Sequence, residues 1–134
     1  MMIRPLALAL AMIATPAIAD ARVALKDHKP IERGLVIVAI GDALRKNCTS
    51  ISPRFLRAYG YARGLYNQAR ALGYSDSEID AYLDSETDKA RVREKARAYL
   101  VSKGVKMQEP ASYCAVGRTE IERNSQIGVL LREN

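Results

Sequence analysis

"LVIVAI", residues 35–40, is unbroken and rich in β-branched side chains, and read alone it suits a buried strand as well as a helix. Its surroundings decide the matter. Ile31, Leu35, Val36, Ala39, Ile40, Ala43 and Leu44 recur at three- and four-residue spacing, which paints one face of a helix opening near Pro30. No other stretch alternates apolar and polar residues long enough to read as a half-buried strand. A helix over 31–46 is therefore expected as the central, most buried element. The class that follows is all-α, a small bundle of four to five helices.

The chain downstream carries helical punctuation. Ser52 suits an N-cap, Pro53 a first helical position and Gly73 the residue past the end. Between them Phe55, Leu56, Tyr59, Ala62, Tyr66 and Ala69 form a stripe. Gly60 and Gly64 lie four apart and cost roughly 1 kcal/mol each relative to Ala, so close approach of another helix, or a bend, is expected there. Arg54, Arg57, Arg63 and Arg70 interleave with Tyr59, Tyr61 and Tyr66. That mixture can clamp nucleic acid or furnish a protein interface, and inward tyrosines with rim arginines would give it too. "SDSE", residues 75–78, is a capping box and "SETD", 85–88, repeats the signal, so residues 76–103 form either two short helices or one long one. Acids crowd the first half of that stretch and bases the second, which suits a solvated, self-complementary face. Glu109-Pro110 opens a last helix to about Asn124. The apolar tail Ile127–Leu131 either folds back onto the bundle or presents a small greasy surface.

Upstream, "MMIRPLALALAMIATPAIAD" has one basic residue, a short apolar run and the A-x-A exit Ala17-Ile18-Ala19. It reads as a signal peptide, residues 1–19, cleaved after Ala19, too short to span a membrane. The expectation is export to the periplasm, a loose segment over 20–30, one helical domain over 31–134 and no transmembrane span after cleavage. The whole chain has a net charge of +6, and losing Arg4 leaves about +5. On an exported protein this favours an anionic surface or an acidic protein over nucleic acid, or serves solubility alone.

Candidate chemistry is sparse. The single histidine, His28, lies ahead of the first helix, and no spacing of His, Cys and carboxylates suits zinc. There is no haem-attachment motif, no G-x-S-x-G elbow and no phosphate loop. The expectation is a non-enzyme with no cofactor and no metal. Of the two cysteines, Cys48 follows the first helix and Cys114 opens the last. Two thiols in an exported chain are expected to pair, and a disulfide here would clamp the two helices. Activation of Cys114 by the helix N-terminus is the competing reading. For contact with a partner the residues singled out are Arg54, Arg57, Tyr61 and Arg63, with Ile127, Val129, Leu130 and Leu131 in the tail.

The order of apolar first helix, Cys48, "SPRFLRAYGYARGLYNQARALGYS", "ARAYLVSKGV" and "YCAVGRTEIERNSQIGVLLR" resembles a family of small exported alphaproteobacterial proteins, a domain of unknown function. The closing segment is the most specific part. The resemblance supplies no catalytic residues. It implies a non-catalytic periplasmic accessory subunit, docked from the periplasmic membrane face on respiratory NADH:quinone oxidoreductase, complex I. A free periplasmic chaperone or inhibitor is the alternative.

Overall fold

The structure is a computed structural model and describes residues 22–134, so the expected signal peptide and its cleavage site lie outside the described residues. Helix α1, Lys29–Asn47, takes in the whole "LVIVAI" run. It opens two residues earlier than its apolar spacing suggests because His28 caps it, Nδ1 accepting the Ile31 N–H at 3.4 Å. Ile31, Gly34, Ile37, Ile40, Gly41 and Leu44 are buried along it, with Leu35, Val36, Ala39 and Ala43 half-buried. The helix is thus apolar almost all round, as a central element must be. It packs against α2, α4 and α5, defined below.

After α1 comes a short strand, β1 (Ile51–Pro53), paired antiparallel with β2 (Leu131–Glu133) at the far end of the chain, in the register Ile51↔Glu133, Ser52↔Arg132, Pro53↔Leu131. This corrects the reading of Ser52 and Pro53 as a helix start. The Ser52 hydroxyl instead donates to Asn134 Oδ1 at 2.6 Å, and helix α2 (Phe55–Ala71) begins two residues beyond Pro53. Three-residue strands are too short to show alternation, so nothing local announced them.

Helices α3 (Asp76–Asp84) and α4 (Glu86–Ser102) are separate. Ser75 Oγ accepts from the Glu78 N–H and Ser85 Oγ from the Asp88 N–H, so each cap named in the sequence opens its own helix. Helix α5 runs Pro110–Glu122. The tail beyond it folds back. Ser125 Oγ accepts from the Gly128 N–H at 2.9 Å, a 3₁₀ turn follows at Gly128–Leu130, and β2 closes the chain.

Two apolar clusters result. The larger gathers Ile37, Ile40, Leu44, Ile51, Leu100, Tyr113, Ile127, Leu130 and Leu131 around Cys48. Cys48 and Cys114 form the disulfide that ties the end of α1 to the start of α5. The smaller cluster joins Leu25, Ile31, Ala69, Tyr74, Ile79 and Tyr82. Leu25 is buried, and the Tyr74 hydroxyl donates to the Val23 carbonyl. From Arg22 onward the segment expected to be loose is therefore docked, because a buried leucine and a tyrosine hydrogen bond hold it.

Candidate functional site

The feature that stands apart is α2. Its two ends are pinned and its outer face is bare. At the start, the Arg54 N–H donates to the Leu130 carbonyl at 2.7 Å and Arg54 Nε to the Leu131 carbonyl at 3.0 Å. At the end, the Arg70 guanidinium grips Asp76 through two bonds of 2.7 and 2.8 Å and stacks over the Tyr66 ring, while the Tyr66 hydroxyl donates to Asp80 at 3.0 Å. In between, Leu65 rests on α1 at Gly34, where any side chain would collide with it: a Cβ there would lie 2.3 Å from Leu65 Cδ2. The close helix approach therefore happens at Gly34. Gly60 and Gly64 face open space.

The inward stripe is Ala58, Tyr61, Leu65 and Ala69, with Tyr66 half-buried beside it, so of the expected stripe only Tyr66 and Ala69 keep to this side. Phe55, Leu56 and Tyr59 are turned out, 75%, 85% and 58% exposed. Sequence reasoning placed them inside because large apolar residues are ordinarily the buried ones. Tyr61 packs against the larger cluster and burial pushes its phenol up. Of the four α2 residues singled out from sequence, Arg54, Arg57 and Arg63 are exposed and Tyr61 is not.

The tail residues singled out with them go the other way. Ile127, Leu130 and Leu131 are buried and Val129 is half-buried against the same cluster. They serve as core, covered by β1 and α5 of their own chain, and the structure does not bring them to the α2 face as a shared surface.

Buried charge lies on the opposite side of α1. Glu32, 4% exposed, receives Arg91 Nε and Lys95 Nζ, each at 2.8 Å. Those two bonds, Lys95 first, hold its carboxyl below the usual range against the cost of burial. Arg91 also donates to Asp88 at 2.6 Å. Near the end of α4 the Tyr99 hydroxyl donates to Glu120 at 2.5 Å, and burial, helped by that bond, pushes its pKa up to about 12. These groups tie α1 and α5 to α4; none presents a nucleophile beside a base. Among the described residues no group of three His, Cys, Asp or Glu side chains could hold a metal ion, and no helix is long and apolar enough to cross a membrane.

A family model described as a family of unknown function, DUF5333, matches residues 23–132. The chain belongs to the DUF5333 family. The DUF5333 match begins at the Val23 carbonyl that Tyr74 holds and ends inside β2, so it spans both apolar clusters and the disulfide. No curated protein and no solved structure matches the chain.

Proposed function

We propose that this DUF5333 member is a non-catalytic accessory protein, exported to the periplasm, that docks on a membrane respiratory complex, NADH:quinone oxidoreductase. One observation carries the interaction role: α2 keeps Phe55, Leu56 and Tyr59 and three arginines outside while its ends are pinned to the body. Leaving a phenylalanine and a leucine in water forgoes about 1.5–3 kcal/mol each, which is compensated when a partner covers them. The resemblance to small exported alphaproteobacterial proteins supports the choice of complex. The test is gentle solubilisation of membranes from cells carrying a tagged copy. The complex is expected to co-purify with a chain beginning at Asp20; a tagged protein recovered alone from the soluble fraction overturns the reading.

A second reading, a free periplasmic chaperone, is favoured by an open apolar cleft of about 230 Å³ between α1, α3 and α4, lined by Leu35, Val38, Leu83 and Val92. It requires that the purified protein suppress client aggregation with no membrane fraction present.

A further inference from the structure

We propose that the first turns of α2 are a bilayer-contact surface, which seats Phe55 and Leu56 among the headgroups of an anionic phospholipid membrane with Arg57 and Arg63 on the phosphates. The side chains that would enter lipid are the chain's only phenylalanine and, beside it, the most exposed large apolar residue among those described. Tyr59, one turn on, presents a ring with a polar tip, the chemistry that membrane interfaces accept.

Charge selects the occupant. From Arg54 to Ala71 the chain carries four arginines and no carboxylate. Arg57 and Arg63 make no ion pair among the described residues, and the one side-chain bond from Arg63 goes to the neutral Tyr59 hydroxyl at 3.4 Å. By contrast, Arg91 and Lys95 are met by Glu32, and Arg70 at the far end of the same helix is met by Asp76. An apolar tip flanked by unspent cations is the pattern of a helix that lies in the interface of an anionic bilayer. A second copy of the chain is disfavoured because paired α2 faces would set arginines against arginines with no acid between them. Nucleic acid would engage the arginines but leave the Leu56 side chain with no role.

This inference deepens the accessory-subunit reading, on which it rests for a place at the membrane, by naming lipid as what covers the bare α2 face, and it holds whichever membrane protein lies beside it. The experiment is co-sedimentation of the oxidised mature protein with vesicles of phosphatidylcholine alone and with part of it replaced by phosphatidylglycerol. Binding is expected only to the anionic vesicles, weakening with added salt. F55S/L56S should lower the partition coefficient more than tenfold, and R57Q/R63Q by roughly tenfold or more. All four side chains are exposed, so unchanged melting temperatures are expected for both variants. Absence of binding to the anionic vesicles overturns the proposal. So does binding that F55S/L56S leaves intact, which would mark a charge-only polyanion site. A variant that binds vesicles like its parent yet no longer co-purifies with the respiratory complex would make the face a protein interface, overturning the lipid proposal and keeping the accessory role.

Discussion

Glu32 is a buried carboxylate held by two cations from α4. Burying a carboxylate to 4% exposure is costly unless its charge is met, and Arg91 and Lys95 meet both of its oxygens. Both cations keep part of their side chains in water, 33% and 47% exposed, so the expected cost of Glu32→Gln is about 2 kcal/mol, short of a fully buried pair. The sign with pH follows from the lowered carboxyl. In the unfolded chain Glu32 takes up its proton near 4.5, in the folded one only at lower pH. Its stabilisation is therefore complete above that value and drains as pH falls through the folded pKa. Denaturant titrations at neutral pH and at about pH 3 should show the native protein losing more stability on acidification than Glu32→Gln does. Nothing in the sequence marked Glu32, which sits at the start of a helix where an exposed acid is ordinary. Only the placement of α4 across α1 makes it buried.

At the scale of elements, the glycines separate local cost from tertiary need. Gly128 opens the 3₁₀ turn that swings the tail back, and a Cβ there would lie 1.9 Å from the Glu120 carbonyl oxygen and 2.7 Å from the Ile121 nitrogen. Those are backbone atoms of α5 and cannot step aside. Gly128→Ala is expected to cost at least about 3 kcal/mol and to free β2, read as a lowered melting temperature with loss of amide protection at Arg54 and Asn134, whose N–H groups bond to the Leu130 and Ser50 carbonyls. Gly60 and Gly64 have open space around them. Replacing both with Ala should raise stability by up to about 2 kcal/mol in the same melts. Helix starts with a side-chain cap were legible, since Ser75 and Ser85 act within three residues of themselves. The start of α2 was not, because Ser52 and Pro53 are claimed by a strand some eighty residues away in the chain, and that contact leaves no local trace.

For the whole molecule the disulfide and the β1–β2 pair do the same work from different distances, holding the end of the chain to the region just after α1. The Cys48–Cys114 bridge closes a loop of 66 residues, for which chain entropy gives about 4 kcal/mol, a large part of what a domain of this size possesses. Denaturant unfolding with and without reductant should differ by about that amount. Alkylation of the native protein should add no mass before reduction and two adducts after it. Two cysteines, helical spacing and serine caps were enough to give from sequence the all-α class, a count of four to five helices and the expectation of the covalent clamp. Those features rest on contacts within a turn or on the two cysteines of the chain, which have only each other to pair with inside it. Which face of α2 looks outward, that the tail is core and that the N-terminal segment is docked were decided only by tertiary structure. Burial belongs to a residue's neighbours in space, and here those neighbours come from the opposite end of the chain.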